Sequence, residues 1–524
     1  MSRKLLKSTA VTGGMTLLSR ITGLIRDMLF ASLIGAGAGV AADAFYVAFR
    51  IPNFLRRIFG EGAFSQSFVP VFAEYKTKYA EAETRAFVDH MAGILGVILF
   101  VITLIGVIAA PILVAILAPG FLDEPHKYGL TVQMLRITFP YLFFVSLVAM
   151  AAGILNTYGK FGAAAFTPVL LNLSMIGAAV WLAPRLDEPV LALAWGVFIA
   201  GVAQLLFQIP FLRGIKMLPR PHLRLRERHH GVARVFKLML PAIFGVSIAQ
   251  INLLVNTLLA SFLVTGSVSW LYYSDRLMEF PLGVFGIALG TVILPSLARR
   301  HARNSREEFS HLLDWGLRWV CLIGIPASLA LIILSEPLLA TFFHFGAFGD
   351  NDVRMSANAL MAFSFGLLGF IMIKVLAPGF YARQDTKTPM RIGVIALVVN
   401  ILLSLLLVIP LKHVGLALAI SLSAFVNAGL LFVTLRRHDV YRPLPGWGSF
   451  LARVIAASAV MGAVLFWGAG DLDSWLRASA MQRALRLSIW VVAGATAYLL
   501  TAAAFGVRLR QLLLKKGSGV PTDD

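Results

Sequence analysis

Charged residues are scarce in this sequence of 524 residues. Asp, Glu, Lys and Arg make up 14% of it, whereas 58% of the residues are hydrophobic. A soluble globular protein needs a more polar surface than this composition supplies. Apolar stretches recur from Met15 to Gly506 without a polar gap long enough for a soluble domain. The chain is therefore predicted to lie almost entirely within a membrane.

Cysteine is almost absent, and the sequence contains no phosphate-binding Gly-Lys-Ser/Thr loop. The single Cys321 lies in an apolar run, which excludes an intrachain disulfide and a metal cluster built from thiols. Neither His344 nor His413 has the neighbours expected of a metal site. No cofactor and no metal site are predicted, and ATP hydrolysis by this chain is not expected to drive its activity.

Acidic residues are also few, since 26 Asp and Glu stand against 46 Lys and Arg and give a formal net charge of +20. The basic residues are found mainly in short segments between apolar runs. This placement is typical of loops that lie beside anionic lipid headgroups rather than of a nucleic-acid-binding surface. Membrane lipids are predicted partners, and nucleic acid is not.

The apolar runs predict an all-α polytopic membrane protein. A membrane-spanning helix needs about 20 apolar residues. Division at charged, Pro-rich and Gly-rich breaks gives about fourteen helices, from residues 9–34 to residues 485–505. The first apolar run contains Arg20, Arg26 and Asp27 and lacks the clean apolar core of a signal peptide, so it is predicted to be a retained first span.

The connections between the predicted spans alternate in charge. One side carries most of the Lys and Arg, whereas the other is mainly acidic or uncharged and includes Lys412, and the positive-inside rule then places both termini in the cytoplasm. Basic connections include Lys76, Lys160, Arg224, Arg303, Arg383, Arg436 and Arg508. Connections on the other side include Asp123, Asp187, Asp350 and Asp471.

Similar landmarks divide the chain into two repeats of six helices in parallel orientation. Asp43, Arg50 and Pro52 in the second span resemble Asp275, Arg276 and Pro281 in the eighth. An even number of spans returns the chain to its starting side, as a parallel repeat requires. The predicted parts are an N-terminal lobe over 1–212, a cytoplasmic basic linker over 213–231, a C-terminal lobe over 232–437, and two additional helices with a cytoplasmic tail over 438–524. The twelve-span core is expected to fold without the additional pair.

Polar and charged residues follow one face of the second span at spacings of three and four. Pro52 interrupts this helix, and the carbonyl that it frees needs protein or water nearby. The eighth span has a similar polar face, and the first span adds three charges. The residues are Asp43, Tyr46, Arg50, Asn53, Arg57 and Glu61 in the second span, Tyr272, Asp275, Arg276 and Glu279 in the eighth, and Arg20, Arg26 and Asp27 in the first.

These charges allow two interpretations. Each charge at mid-membrane costs roughly 2.5 to 3.5 kcal/mol on insertion scales, so the groups must face one another or a wet cavity. They form either a salt-bridge network that locks helices, for example Arg57 with Glu61, or a site for an anionic ligand. Guanidinium groups bind phosphate and diphosphate in bidentate fashion, which favours the ligand interpretation where cations are in excess. That excess lies at Arg20, Arg26, Arg50 and Arg276. Lys374 in the tenth span is either a further cavity cation or a snorkelling lysine.

Several motifs accompany these charges. Residues 51–59 read Ile-Pro-Asn-Phe-Leu-Arg-Arg-Ile-Phe, and residues 61–66 read Glu-Gly-Ala-Phe-Ser-Gln. Residues 274–281 read Ser-Asp-Arg-Leu-Met-Glu-Phe-Pro, and residues 377–385 read Ala-Pro-Gly-Phe-Tyr-Ala-Arg-Gln-Asp. With Ser19-Arg20 and Arg26-Asp27, they closely resemble the MurJ (MviN) lipid II flippases of the multidrug/oligosaccharidyl-lipid/polysaccharide (MOP) exporter superfamily. The resemblance covers essentially the whole chain.

The resemblance implies a transporter rather than an enzyme. It implies two lobes around a central cationic cavity and a last helix pair that forms a groove for a polyprenyl tail. The expected activity is alternating-access transfer of lipid II, an undecaprenyl-diphosphate-linked disaccharide peptide, to the outer leaflet of the bacterial inner membrane, with the protein acting as a monomer. The family's essential arginines match Arg20, Arg26, Arg56 and Arg276, and its second-span acid matches Asp43. The predicted substrate-binding residues are Arg20, Arg26, Asp43, Arg50, Asn53, Arg56, Asp275, Arg276, Glu279 and Lys374.

The driving force is predicted to be the membrane potential or an ion gradient. Some family members have an acidic sodium site between the seventh and eleventh spans. This sequence has Asn252, Asn256, Asn400 and Ser404 there and no carboxylate, which places sodium coupling in doubt. Moving about two negative charges outward across 100 mV, inside negative, is favourable by roughly 4.6 kcal/mol.

Other functions are weighed against this one. A flippase for another polyprenyl-diphosphate oligosaccharide would carry the same diphosphate. A MATE-like multidrug exporter would share the twelve-span core, but its cationic substrates require buried carboxylates rather than an excess of arginine. A membrane scaffold that transports nothing would not need charged faces in equivalent spans of both repeats.

Overall fold

The computed structural model describes residues 3–37, 39–220, 229–303 and 305–507. These residues form helices joined by short connections, and no strand occurs among them. The predicted all-α fold is confirmed, and its cause is the solvent, since a helix in hydrocarbon satisfies its backbone N–H and C=O groups within its own segment. Outside the described residues lie Arg224, Arg226 and Arg228 of the predicted linker, and Arg508 with the basic residues that follow it.

The chain divides into two compact units. Unit 1 comprises Met1–Ser269 and Phe345–Asp352, and unit 2 comprises Trp270–His344 and Val353–Asp524. The helices within unit 1 are α1 (Arg3–Ile34), α2 (Ala41–Leu55), α3 (Ser65–Lys78), α4 (Glu81–Ile108), α5 (Ala110–Leu117), α6 (Pro125–Thr138), α7 (Tyr141–Thr157), α8 (Phe161–Gly177), α9 (Leu191–Gly214) and α10 (His230–Ser261).

The remaining helices lie in unit 2, apart from the first residues of α11 and α15. They are α11 (Ser267–Pro281), α12 (Ile287–Ala302), α13 (Arg306–Ile333), α14 (Ser335–Phe342), α15 (Asp350–Phe365), α16 (Leu367–Tyr381), α17 (Lys387–Arg437), α18 (Trp447–Ala469), α19 (Leu472–Leu476) and α20 (Ala480–Ala504).

The compact units differ from the predicted sequence repeats in the placement of α10. The repeat interpretation assigns residues 232–437 to the C-terminal lobe, whereas α10 packs in unit 1 against α3 and the turn that precedes α3. A duplicated sequence does not require each copy to form one compact unit. The repeat and its boundaries therefore stay a prediction.

Nine helical segments in the described part of the chain are long and apolar enough to cross a membrane. One of them, α17, spans 51 residues and has a non-helical backbone at Lys412, with φ of 51° and ψ of −130°. This break lies where the predicted eleventh and twelfth spans meet. Helices α1, α2, α10 and α11 fall outside the nine, and α1, α2 and α11 carry the charged faces described above. The exact number of fourteen spans stays a prediction.

The two helices with polar faces share a local distortion. In α2, Pro52 is followed by a π-helical turn over Arg56–Phe64. In α11, Pro281 is followed by a π-helical turn over Leu282–Gly286. Proline weakens the helical turn that precedes it, because it lacks a backbone N–H and its ring displaces the carbonyl four residues earlier. π-Helical turns are frequent at functional sites.

The end of α1 is held by the segment over residues 345–352, which belongs to unit 1. The amide of Ala347 donates to the carbonyl of Ser32 at 2.9 Å, and the carboxylate of Asp352 accepts from the amide of Gly37 at 2.7 Å. A Cβ atom on Gly346 would lie 2.3 Å from the Ser32 oxygen, so only glycine permits this approach. The contact orients the helix that carries the first-span arginines.

Candidate substrate site

Arg26 and Asp27 form a buried ion pair on α1. Arg26 Nη2 lies 2.7 Å from Asp27 Oδ1, and the two side chains are 6% and 4% exposed. Arg26 Nη1 donates to Asn172 Oδ1 on α8 at 3.0 Å, while Asn172 Nδ2 donates to the carbonyl of Ser19 at 2.9 Å. These bonds join α1 to α8, as we expect if the charges form a structural salt-bridge network. Contact between Arg26 and substrate stays a prediction.

Arg20 has different surroundings, although it lies only six residues before Arg26 on the same helix. Its side chain is half-buried and forms neither a hydrogen bond nor an ion pair with another described residue. A guanidinium in this position is suited to an anionic ligand, because its five donors are not taken by protein carboxylates in the described part of the chain.

Three further predicted residues lie on α2 and the π-helical turn after it. Arg50 is half-buried on α2. Arg56 Nε and Nη2 both donate to Asn53 Oδ1, at 3.0 and 2.8 Å. This three-residue spacing places the amide beside the guanidinium, so Asn53 orients Arg56 where the helix changes from α to π geometry.

Asp43 is enclosed by protein groups. Its side chain is 2% exposed, and its oxygens accept from the amides of Gly266 and Ser269 at 2.8 and 2.9 Å and from the Ser269 hydroxyl at 2.6 Å. Lys127 Nζ lies 3.6 Å from Asp43 Oδ2 and also donates to Thr265 Oγ1 at 3.0 Å. Asp43 therefore satisfies backbone amides at the start of α11. Its predicted contact with substrate stays a prediction.

Arg276 lies on α11 in unit 2 and is partly exposed. Its Nε donates to the Tyr272 hydroxyl at 3.2 Å, and its guanidinium carbon lies 5.3 Å from the centre of the Tyr272 ring. Its Nη1 is 3.4 Å from Glu279 Oε2, and the Arg276 and Glu279 side chains are 38% and 45% exposed. Asp275 beside it is half-buried. The ion pair is long and its two side chains are partly exposed, so it is expected to contribute little to stability.

Lys374 lies on α16 with an exposed side chain, although α15 and α16 together form one of the nine apolar segments. Exposure agrees with a cation that reaches an aqueous cavity and equally with one that snorkels to the lipid surface. Both interpretations of Lys374 remain open.

The positions considered for sodium are amides and a hydroxyl. Asn256 Nδ2 donates to the carbonyl of Asn252 at 2.9 Å and lies 3.3 Å from its Oδ1. Asn400 and Ser404 are buried. Across the described residues, no group of three or more His, Cys, Asp or Glu is placed to hold a metal ion.

Two contacts of the site were missed in the sequence. Lys127 stands three residues after Glu124, and the sequence assigned this region to a loop, although its side chain is 1% exposed. A basic residue in the first turn of an otherwise apolar helix was the available signal. Asn172 lies in an apolar run of the sequence, and sequence spacing alone could not identify Arg26 as its partner, 146 residues away.

Comparisons with known proteins show which family this chain resembles over most of its length. The family model described as "Lipid II flippase MurJ" matches residues 30–489. The "Probable lipid II flippase MurJ" of Vibrio cholerae is 48% identical over 518 residues, which cover 98% of each chain.

Two solved structures share the fold. The structure described as "Lipid II flippase MurJ, inward closed conformation" is 25% identical, covers 96% of this chain and 100% of its own, and has a TM-score of 0.79. The second is an inward-facing multidrug resistance MATE family transporter of the MOP superfamily, with a TM-score of 0.67. It is 15% identical and covers 80% of this chain and 94% of its own. At this identity it supports the fold alone. The family predicted from the sequence is confirmed, and this chain belongs to the lipid II flippase MurJ family.

Proposed function

We propose that this protein transfers lipid II from the cytoplasmic to the outer leaflet of the bacterial inner membrane. The observation that carries the proposal is the family match over residues 30–489, which includes the charged faces of α2 and α11. The cargo is a polyprenyl-linked diphosphate that bears a disaccharide peptide. Its negative headgroup cannot cross hydrocarbon without a polar path.

The arginines supply the chemistry that recognises this headgroup. Arg20 and Arg276 are partly accessible, and Arg50 is half-buried on α2. A guanidinium forms two parallel charge-assisted hydrogen bonds with a phosphate, which a lysine cannot reproduce. In the proposed cycle these arginines bind the diphosphate on the cytoplasmic side and release it outside by alternating access.

The membrane potential provides a direction for this cycle. With both termini cytoplasmic, as the basic connections indicate, outward movement of about two negative charges is favourable by roughly 4.6 kcal/mol at 100 mV. We infer that the potential or an ion gradient drives transfer, without ATP hydrolysis by this chain and without a cofactor, and that the monomer is the working unit.

The proposal is tested with purified protein in vesicles that contain lipid II labelled on its peptide. A membrane-impermeant reagent reports how much label reaches the opposite leaflet. We expect transfer of lipid II at least about tenfold faster than transfer of another polyprenyl-diphosphate oligosaccharide, a difference of 1.4 kcal/mol in barrier. Faster transfer of the other oligosaccharide would assign this chain to a related flippase activity. Failure to move either lipid under an imposed potential would contradict the proposal.

A further inference from the structure

The helix pair α18 and α20 is attached to α13 and α14 by polar contacts at three levels, all within unit 2. Near the start of α13, Asp314 binds the connection that leads into α18. At mid-helix, the Tyr498 hydroxyl donates to the carbonyl of Leu322 at 2.6 Å. Beyond the end of α13, Arg483 Nη1 donates to the carbonyl of Ala340 at 2.7 Å. Attachment therefore extends along the full length of α13.

Asp314 is the centre of the first attachment. Its side chain is 0% exposed, yet it is charged and lies in a helix. Oδ1 accepts from the Tyr441 hydroxyl at 2.9 Å, from the amide of Leu444 at 3.0 Å and from Trp447 Nε1 at 2.7 Å. Oδ2 accepts from Arg318 Nε at 2.7 Å. A carboxylate offers about four acceptor positions, so these four donors match its capacity.

Arg318 completes the attachment on the other side of the connection. Its Nη2 donates to the carbonyl of Pro445 at 3.1 Å, and its guanidinium carbon lies 5.0 Å from the Trp447 ring and 5.3 Å from the Phe450 ring. Cation–π contacts of this kind strengthen as water is excluded. Burial, together with the charge of Asp314, raises the pKa of the Tyr441 hydroxyl, which therefore keeps its proton and remains a donor.

Close apolar packing joins the same helices. A Cβ atom on Gly462 of α18 would lie 2.9 Å from Leu329 Cδ2 on α13. Within the pair, a Cβ atom on Gly494 would lie 2.6 Å from Leu465, and one on Gly468 would lie 2.1 Å from the Trp490 ring. Glycines at these positions let the helices approach closely, as they do at many membrane helix interfaces. The two helices of the pair therefore pack as one body on α13.

We propose that Asp314 and Arg318 are positioning residues that keep the last helix pair fixed to α13 throughout the transport cycle. Separation of the pair together with its connection from α13 would leave a buried carboxylate without three of its donors and would expose a closely packed apolar face. Such a state is strongly disfavoured in a low-dielectric interior. The pair therefore moves as part of unit 2 rather than swinging away as a separate gate.

A disulfide between α13 and α18 tests this proposal directly. Gly462→Cys and Leu329→Cys are combined with Cys321→Ala. The Gly462 Cβ position lies 3.5 Å from Leu329 Cγ, and a cysteine sulfur in place of that Cγ would be close enough for a disulfide to link the two helices. We expect the oxidised protein to transfer lipid II at a rate within about twofold of the reduced protein, since a fixed contact tolerates a covalent link. Loss of transfer on oxidation that a reductant restores would overturn the proposal.

This measurement rests on the proposed function, and its two failures are distinguishable. If the reduced protein moves no lipid II, the proposed function fails. The attachment is then tested without substrate by pulsed electron paramagnetic resonance, with spin labels at His311→Cys and Ala452→Cys in the Cys321→Ala background. With Asp314 in place, we expect one narrow distribution of distances between the two labels. Two populated distances would contradict a helix pair that stays fixed to α13.

Substitutions identify the carboxylate as the cause. Asp314→Ala is expected to broaden the distribution of distances between the spin labels and to lower the rate of lipid II transfer. Asp314→Asn keeps an acceptor for Tyr441, Leu444 and Trp447, so it should restore much of the narrow distribution and of the rate. Asp439→Asn is the matched control, because Asp439 lies in the same connection but forms an exposed ion pair with Arg442. If Asp314→Ala matches this control in distance and in rate, the positioning role is wrong. If Asp314→Ala does not accumulate, the effect of the disulfide on transfer, measured with Asp314 in place, decides whether the proposal holds.

Discussion

Arg26 in unit 1 and Arg276 in unit 2 are the same residue type with opposite surroundings. The Arg26 side chain is 6% exposed and lies 2.7 Å from its carboxylate partner, with an amide on a second helix as a further acceptor. The Arg276 side chain is 38% exposed, and its carboxylate partner is 3.4 Å away on the same helix. The difference shows that arginines of one chain can lie either in a tight buried pair that joins two helices or in a long, partly exposed pair within one helix.

The largest expected effect comes from removing the partner of Arg26. Asp27→Ala removes the carboxylate that lies 2.7 Å from a guanidinium buried between α1 and α8, which costs about 3 to 5 kcal/mol. We expect little protein in the membrane and a lowered unfolding temperature in fluorescence-detected chromatography. Arg26→Gln with Asp27→Asn should recover most of the abundance. If Asp27→Ala accumulates normally but transfers no lipid II, Arg26 binds substrate rather than serving only to join the two helices.

Asp43 provides a second buried pair for the comparison. Lys127→Met removes its cation but leaves the amides of Gly266 and Ser269, so a loss of about 3 kcal/mol is expected, at the lower end of the range for such pairs. Asp43→Asn with Lys127→Met should be more stable than Lys127→Met alone. The melting temperatures of the wild-type protein, of each single variant (Asp43→Asn and Lys127→Met) and of the double variant give the coupling between the two side chains. If the stability changes of the two single variants add up to that of the double variant, the interaction between Asp43 and Lys127 contributes nothing to stability.

Arg276 is expected to affect transport rather than folding. Arg276→Ala should accumulate normally and lose about 1.5 to 3 kcal/mol of charge-assisted binding, or roughly ten- to a hundredfold in transfer rate. Arg276→Lys should restore only part of the rate, because lysine lacks the bidentate fork. Asp275→Asn with Arg276→Gln separates the two roles. Recovery of transfer in this double variant would exclude substrate binding by Arg276.

The smallest effect is expected at the partner of Arg276. Glu279→Gln removes an exposed ion pair between residues three apart, for which about 0.2 to 1 kcal/mol is typical. Abundance should be unchanged, and transfer should change by less than about fivefold. A loss as large as that of Arg276→Ala would show that the carboxylate takes part in each cycle.

The structure also changes one expectation about the last two helices. From the repeat alone, a chain ending near Pro445 was expected to leave a folded core. In the structure such a chain lacks Trp447, one of four donors to the buried Asp314, and it exposes the face of α13 that α18 covers. The sequence contained a signal here, since Asp314 and Arg318 are four residues apart on one helix. It contained nothing that would identify partners more than 120 residues away.

Composition and charge placement by themselves determined that this chain is helical and lies in a membrane. A long apolar segment in hydrocarbon must pair its backbone N–H and C=O groups, and a helix does so within the segment itself. The motifs determined the family, since they keep the arginines, acids and prolines at fixed spacings. Only the tertiary structure decided which charges neutralise one another. That choice depends on contacts between helices distant in sequence, as for Arg26 with Asn172 and Asp43 with Lys127. Helical periodicity assigns a residue to a face, but it cannot name the group that packs against that face.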